Sequence, residues 1–301
     1  MKVGFIGLGR MGEGLVLNAI EKGHSPVVYN RTYSKTEEFA KNTGCDYCSS
    51  IRELKGKLPT PRVIWIMVTA GEATEEVISD LSEILEAGDI VIDGGNSFYK
   101  DSIRRAKMLS DLGINFLDIG TSGGIYGARN GACFMVGGNN DSYLYVKPFL
   151  ESISVPGGLK YMGQSGAGHF TKMVHNGIEY GMMQSIAEGF SLMKKSGLDI
   201  ELAKAASVYS HGSVIRGWLM ELMHDELEKD PSLEKVPSAI GQSGEGLWTL
   251  QTALEKGVPT PAIASSVYAR FDSNEDGNFS AKAVQALRQA FGRHDSSTRL
   301  K

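Results

Sequence analysis

The chain has 301 residues, 42% of them hydrophobic and 22% charged, and a formal net charge of −4 at pH 7. This length suits two domains, and the composition is that of a globular protein with a hydrophobic core. The mildly acidic balance gives no electrostatic reason to expect a nucleic acid or an anionic membrane as a partner. Three cysteines are too few for a disulfide framework, and we find neither the pattern of a secretory signal nor an apolar run long enough to cross a bilayer. We therefore expect a cytoplasmic protein.

The first half of the chain alternates short β-rich runs with helical stretches. Strands are predicted at Val3–Ile6, Pro26–Tyr29, Val63–Met67, Ile90–Ile92, Phe116–Ile119 and Cys133–Val136. Helices are predicted at Met11–Lys22, Lys35–Asn42, Glu72–Leu85, Tyr99–Leu112 and Asp141–Glu151. This alternation predicts a Rossmann-like, doubly wound α/β domain with a parallel sheet over residues 1–164.

The remaining residues, 165–301, have a helical pattern and predict an all-α substrate and oligomerisation domain with a C-terminal tail. A long helix is predicted from Ala167 to Lys195, and its apolar residues surround its axis, so we expect it to be buried on most sides. Further helices are predicted at Ile200–Val208, Ile215–Leu227, Gly246–Lys256, Ala262–Arg270 and Ala281–Phe291.

A glycine-rich loop follows the first predicted strand and opens the first predicted helix. It reads Gly7-Leu8-Gly9-Arg10-Met11-Gly12, the G-x-G-x-x-G pattern. In this context the glycines permit a tight turn and a close approach of the backbone to a pyrophosphate, which the N-terminus of the helix attracts. The loop therefore predicts a dinucleotide site, and the alternative is a glycine turn without a ligand.

The end of the second predicted strand bears on the choice of dinucleotide. An NAD-specific protein places an acidic residue there to bind the ribose hydroxyls, whereas this chain has Asn30, Arg31 and Thr32, which all donate hydrogen bonds. An acid would repel a 2′-phosphate and these donors would not, so we predict NADP, with NAD possible. The alternative is an exposed arginine on a loop.

The ends of three later strands are rich in glycine and small polar residues. They read Val68-Thr69-Ala70-Gly71, Asp93-Gly94-Gly95-Asn96-Ser97 and Gly120-Thr121-Ser122-Gly123-Gly124. In an open parallel sheet the ligand lies at the carboxyl ends of the strands, so we expect these segments to line the site. Ordinary turns also use these residue types.

Five polar residues occupy the predicted long helix in an otherwise apolar setting: Lys172, His175, Asn176, Glu179 and Tyr180. Their spacing places them on one face of the helix. Lys172 and Glu179 are roughly 10 Å apart along the axis, which suits a small substrate between them. A desolvated lysine acts as a neutral base and a protonated glutamate as an acid. The alternative is a polar stripe that faces solvent.

The segment that carries these residues resembles a signature of the 6-phosphogluconate dehydrogenases. It reads Gly166-Ala167-Gly168-His169-Phe170-Thr171-Lys172-Met173-Val174-His175-Asn176-Gly177-Ile178-Glu179-Tyr180. Similar family segments are Asp93–Ser97, Ser122-Gly123-Gly124, Gly212-Ser213-Val214-Ile215-Arg216 and Phe291-Gly292-Arg293-His294. The length resembles the shorter bacterial branch of the family.

The resemblance implies oxidative decarboxylation of 6-phosphogluconate to ribulose 5-phosphate and carbon dioxide with reduction of NADP, in the pentose phosphate pathway or gluconate metabolism. Lys172 is the implied base and Glu179 the implied acid, and no metal is required. The implied ligands of the sugar acid are Asn96, Ser122, Gly123, Gly124, His175 and Asn176. Tyr180 and Arg216 are implied to hold the phosphate. From their place at the carboxyl ends of predicted strands, Val68, Thr69, Ala70 and Asn96 are also expected to contact the cofactor.

The resemblance also implies a homo-oligomer, a dimer or tetramer, in which Arg288 and His294 of the tail reach into the neighbouring subunit's site. There is one departure from the family. Ser243 and Glu245 stand where longer members have a lysine and a threonine. This exchange weakens the phosphate assignment and is compatible with a remodelled pocket or a different sugar acid.

Two patterns suggest metal ions but fall short of a site. Cys45 and Cys48 have zinc-like spacing without a second pair, and the loop that begins at Asp272 lacks the bidentate glutamate of a calcium loop. We therefore expect no metal. Two other functions stay open, namely a β-hydroxyacid dehydrogenase that does not decarboxylate and a non-catalytic NADPH-binding regulator.

Overall fold

The structure is a computed structural model that describes residues 1–241 and 243–274. Two compact units divide the chain, Met1–Asn176 and the part from Gly177 onward. The predicted helix Ala281–Phe291 lies outside the described residues.

The first unit contains one sheet of eight strands. In chain order they are β1 Lys2–Ile6, β2 Ser25–Tyr29, β3 Asp46–Tyr47, β4 Val63–Ile66, β5 Ile90–Asp93, β6 Asn115–Ser122, β7 Ala132–Gly138 and β8 Ser154–Gly163. Their spatial order is β3-β2-β1-β4-β5-β6-β7-β8. The six predicted strands are all present, whereas β3 and β8 were not predicted.

The helices between the strands are α1 Arg10–Glu21, α2 Tyr33–Thr43, α3 Leu54–Lys57, α4 Glu72–Ile84, α5 Tyr99–Ser110, α6 Gly124–Asn130 and α7 Asn140–Ser152. The five predicted helices of this half are present, and α3 and α6 are additional. Local sequence explains several ends. Gly44, with φ +74°, terminates α2 in the left-handed conformation, and Asn139 accepts a hydrogen bond from the backbone of Ser142 to begin α7.

Both faces of the sheet are covered, as successive strand residues show. Phe5 and Trp65 pack into one hydrophobic cluster, while their chain neighbours Ile6 and Ile66 pack into another on the opposite face. Side chains alternate between the faces of a strand, so two clusters mean two helical layers. The predicted Rossmann-like α/β architecture is confirmed.

The sheet is not wholly parallel, which corrects the prediction of a parallel sheet. Strands β1 to β6 are parallel, but β7 is antiparallel to β6, and β8 pairs parallel to β7. Only the short helix α6 separates β6 from β7 along the chain, and a parallel return needs a longer crossover that carries the chain back to the same end of the sheet.

Described elements after β8 are helices only: α8 Ala167–Lys194, α9 Leu202–Ser210, α10 Trp218–Lys229, α11 Glu245–Lys256 and α12 Pro261–Ser273. The helical C-terminal domain is thus confirmed. A small core joins α8, α9 and α10 through Phe190, Ala206, Met220 and Leu227. Helix α8 is continuous across the division between the units, and the domain boundary after Gln164 stays a prediction.

One expectation about α8 is wrong. Its apolar residues are not buried on most sides, because Ile178 and Met182 are both about half exposed, at 52% and 51%. Among the described residues no helix is long and apolar enough to cross a membrane.

Candidate active site

The carboxyl ends of the parallel strands form the edge of the sheet that carries most of the predicted site residues. The glycine loop follows β1, Asn30–Thr32 follow β2, Val68–Ala70 follow β4, Asn96 follows β5, and Ser122 ends β6. The strands are parallel and adjacent, so these segments lie along one edge.

Backbone packing leaves room for hydrogen atoms only at two of the three motif glycines, Gly7 and Gly12. A Cβ atom at Gly7, where φ is +104°, would lie 2.4 Å from the carbonyl oxygen of Met67, and one at Gly12 would lie 2.2 Å from that of Gly7. In contrast, no atom of the described residues beyond its two chain neighbours lies within 4 Å of the Cβ position of Gly9, so its backbone is open on that side. This is the tight turn with an accessible centre that a pyrophosphate requires at the start of α1.

The residues after β2 divide into an anchor and two exposed side chains. Asn30 accepts a hydrogen bond of 3.2 Å from the backbone N–H of Leu8, which ties the end of β2 to the glycine loop. Arg31 and Thr32 are exposed. Arg10 is also exposed, Met11 is half-buried and Leu8 is buried in the core.

A buried charge network lies beneath the loop that presents Asn96. Arg105 on α5 is fully buried and donates to Asp93 at 3.0 Å and to Ser97 at 3.1 Å. Asp93 also accepts from the backbone N–H of Gly95 at 3.1 Å. These bonds fix both sides of the exposed residue Asn96.

A chain of polar groups connects α8 with the end of β6. The amine nitrogen of Lys172 lies 3.4 Å from Nδ1 of His175, and Nε2 of the same ring lies 3.2 Å from Oγ of Ser122. Asn176 places its Oδ1 3.0 Å from Nδ1 of His175. Lys172 is 7% exposed and Asn176 9%. The polar face of this helix turn is therefore buried rather than solvated. The predicted residues Gly123 and Gly124 directly follow Ser122, at the beginning of α6.

The unit from Gly177 onward gathers a second group around Tyr180. The guanidinium carbon of Arg270 lies 3.6 Å from the centre of the Tyr180 ring, and a Cβ atom at Gly246 would lie 2.4 Å from that ring. Glu245 is buried and accepts a hydrogen bond of 2.9 Å from Ser243. Burial, together with the charge of Glu245, raises the pKa of Tyr180. Tyr180 is therefore a protonated phenol beside a cation at neutral pH.

Arg270 was not predicted as a site residue. It lies ninety residues beyond Tyr180 near the end of α12, and no local motif marks it. Of the predicted residues in this unit, Glu179 is half-buried on α8, and Arg216 is exposed in the turn before α10, where it donates to the carbonyl of Ser213. Arg288 and His294 lie outside the described residues.

No cluster of three or more His, Cys, Asp or Glu side chains suited to a metal ion occurs in residues 1–241 and 243–274. The three cysteines are free thiols. Burial raises the pKa of Cys48 to about 11, which disfavours the thiolate that a metal would need.

Both halves of the chain match models of known protein domains. Residues 2–166 match the model of the NAD binding domain of 6-phosphogluconate dehydrogenase, and residues 168–282 match that of its C-terminal domain. An NAD(+)-dependent, decarboxylating 6-phosphogluconate dehydrogenase of Haloferax volcanii is 39% identical over 98% of both chains. An NADP(+)-dependent counterpart of Bacillus subtilis is 45% identical over 90% of this chain and 61% of its own length.

Among solved structures, a Plasmodium falciparum 6-phosphogluconate dehydrogenase, studied in its apo form and in complex with NADP+ and with 6-phosphogluconate, superposes with a TM-score of 0.85 at 34% identity. The match covers 98% of this chain and 65% of that one. With both family models matched and relatives of this similarity over nearly its whole length, the chain belongs to the 6-phosphogluconate dehydrogenase family.

Proposed function

We propose that the protein oxidises 6-phosphogluconate with NADP and releases carbon dioxide and ribulose 5-phosphate. The observation that carries this proposal is the buried amine of Lys172, joined through His175 to Ser122 at the sheet edge that also holds the glycine loop. In this proposal the amine is the base, and it lies at the sheet edge where the glycine loop would bind the dinucleotide.

The glycine loop fits a dinucleotide, since Gly7 and Gly12 allow the turn and Gly9 leaves the backbone open. The bound nicotinamide supplies the acceptor for the hydride. We assign NADP rather than NAD because Arg31 and Thr32 are exposed donors, whereas Asn30 is engaged by Leu8. The similar proteins include an NAD(+)-dependent and an NADP(+)-dependent enzyme, so family membership does not decide between the two cofactors. The argument for NADP is therefore the pair Arg31 and Thr32.

In the first step, Lys172 takes the proton of the β-hydroxyl group while the hydride leaves the same carbon. The resulting β-keto acid loses its carboxylate as carbon dioxide, because the ketone accepts the electron pair of the broken bond. The ammonium group of Lys172 stabilises the enolate oxygen. Glu179, two turns further along α8, then gives a proton to the enediol carbon, and the product is ribulose 5-phosphate.

The sugar acid is assigned to Asn96, Ser122, Gly123, Gly124, His175 and Asn176. For the phosphate we add Arg270 to Tyr180 and Arg216, because the guanidinium of Arg270 already lies against the Tyr180 ring. A planar guanidinium binds phosphate through paired hydrogen bonds. Arg270 thereby supplies a cation near Ser243 and Glu245, where longer family members have a lysine and a threonine.

We further propose a cytoplasmic homo-oligomer in which Arg288 and His294 complete the site of the neighbouring subunit. This proposal rests on the resemblance of the tail sequence to the family.

The test follows both products with purified protein and 6-phosphogluconate, with NADP and NAD supplied separately. We expect one carbon dioxide per reduced cofactor and a higher kcat/KM with NADP. Reduced cofactor without carbon dioxide would indicate a β-hydroxyacid dehydrogenase. Tight NADPH binding without turnover would indicate a regulator, and either result would overturn the proposal.

A further inference from the structure

Asp118, a fully buried carboxylate in the middle of β6, has no role in the chemistry described above. One of its oxygens accepts a hydrogen bond of 2.7 Å from the backbone N–H of Gly166, and the other accepts one of 2.9 Å from that of His169. These N–H groups belong to the first turn of α8 and the residue before it, where a helix has no partners of its own for its donors. Asp118 thus binds the beginning of the helix that carries Lys172.

The backbones of β6, β7 and α8 approach one another closely at this point. A Cβ atom at Gly168 would lie 2.2 Å from the carbonyl oxygen of Asp118 and 2.5 Å from that of Met135. One at Gly137, on β7, would lie 2.5 Å from the backbone nitrogen of Gly168. At Gly168 the nearest atoms are backbone atoms of both strands, so small shifts of the helix are opposed by backbone contact on two sides.

Two residues beyond Asp118 on the same face of β6, Gly120 accommodates the catalytic side chain. A Cβ atom at Gly120 would lie 2.3 Å from Cβ of Lys172 and 3.0 Å from its Cγ. The stem of Lys172 therefore lies directly on the strand backbone. A second tether is the ring of His169, whose Nδ1 lies 2.6 Å from Oγ of Ser102 on α5.

We propose that Asp118 is a positioning residue for Lys172: it fixes the register of the first turn of α8 on strand β6 and so holds the amine in place for proton transfer. The expected effect on catalysis rests on the proposed function, whereas the register of α8 on β6 does not depend on the substrate. A displacement of about 1 Å at a catalytic group costs roughly 100-fold in rate.

The variant Asp118→Asn keeps the shape of the side chain but replaces one acceptor oxygen with an amide that donates. Asp89→Asn is the matched control, because Asp89 is also buried and also accepts backbone N–H bonds on each oxygen, from Arg62 at 2.7 Å and Glu86 at 3.0 Å. It precedes β5, at the amino edge of the sheet. Both variants lose a buried hydrogen bond from a backbone N–H group, and Asp89→Asn also weakens the ion pair of Asp89 with Arg62. Only Asp118→Asn makes this change at α8.

The first measurement is amide hydrogen exchange over residues 166–172. We expect faster exchange there in Asp118→Asn and unchanged exchange in Asp89→Asn; equal exchange in wild type and Asp118→Asn would overturn the register claim. This measurement decides that claim even if the wild type fails to turn over 6-phosphogluconate, an outcome that would reject the proposed function separately.

The second measurement is the deuterium isotope effect on kcat with substrate labelled at the oxidised carbon. With a displaced Lys172, kcat falls about 10- to 100-fold, the isotope effect increases and the affinity for NADPH is unchanged. A smaller folded fraction lowers kcat without changing the isotope effect or KM. A lower kcat with the isotope effect of the wild type would therefore show that Asp118 is structural only.

Discussion

Arg31 and Asn30 are adjacent in the chain, but they have different environments. Asn30 holds the glycine loop through Leu8, and Arg31 is exposed beside it. We predict that Arg31→Ala raises the KM for NADP about tenfold or more and leaves the KM for NAD nearly unchanged, because a charge-assisted hydrogen bond to the 2′-phosphate is lost.

Arg52→Ala serves as the control for this measurement. Arg52 is also exposed, but it pairs with Glu83 on α4 and does not follow a strand of the proposed cofactor site. It should change neither KM. Equal losses with NADP and NAD in Arg31→Ala would mean that Arg31 supports the loop rather than the 2′-phosphate.

Single residues of the site differed in how well the sequence revealed them. Lys172, His175 and Asn176 share one helix face, so their spacing alone brings them together, and Ser122 follows from the rule that ligands lie at the carboxyl ends of strands. The roles proposed for Arg270 and Asp118 rest on contacts between residues far apart in the chain. For Asp118 a signal did exist, namely an acid between the apolar residues Leu117 and Ile119 of a buried strand.

At the scale of elements, α4 and α5 are joined beneath the loop of Asn96 by the network of Arg105, Glu75 and Asp93. Burial opposes ionisation of Glu75, but hydrogen bonds from Arg104 and Arg105 outweigh it and hold the pKa of Glu75 below its usual value. A lowered carboxyl pKa contributes stability that is present above the unfolded-state pKa and is lost as the pH falls through the folded-state pKa.

We therefore predict that Glu75→Gln lowers the Tm at pH 7 by about 2–4 °C, the shift that about 1 kcal/mol produces in a chain of this size, and that the difference from wild type vanishes in acid. Thermal unfolding of both proteins between pH 7 and pH 3 measures this. A difference that stays constant over that range would show that the ionised carboxylate contributes nothing.

The elements that the sequence did not reveal lack the usual local patterns. Strand β8 contains Pro156, Gly157 and Gly158, which favour a turn, and its residues alternate poorly between buried and exposed. Helix α6 begins directly after Gly123 and has only seven residues. The reversal of β7 depends on the length of its connection rather than on its own residues. Long periodic helices, such as α4 and α5, were predicted to within two residues.

At the scale of the whole molecule, the chain spans 98% of its Haloferax volcanii relative but 61% of its NADP(+)-dependent Bacillus subtilis relative. An active site that two subunits of this chain share is a proposal. If Arg288 and His294 complete the neighbour's site, two inactive variants can restore one another in a mixed oligomer.

We predict that Lys172→Met and His294→Ala, each nearly inactive, recover about a quarter of wild-type activity after they are unfolded and refolded together as a dimer with random pairing. The comparison is a mixture of the two variants that has not been refolded. Recovery of no activity, with oligomers present by light scattering, would place each complete site within one chain.

The central claim is that the amine of Lys172 removes the substrate proton. The most direct measurement is a single turnover of Lys172→Met with 6-phosphogluconate and NADP, together with the Kd for NADPH. We predict a rate lower by about 1,000-fold or more and a Kd within about twofold of wild type, while Lys160→Met, an exposed lysine on β8, behaves as wild type. Near-normal turnover in Lys172→Met would contradict the account.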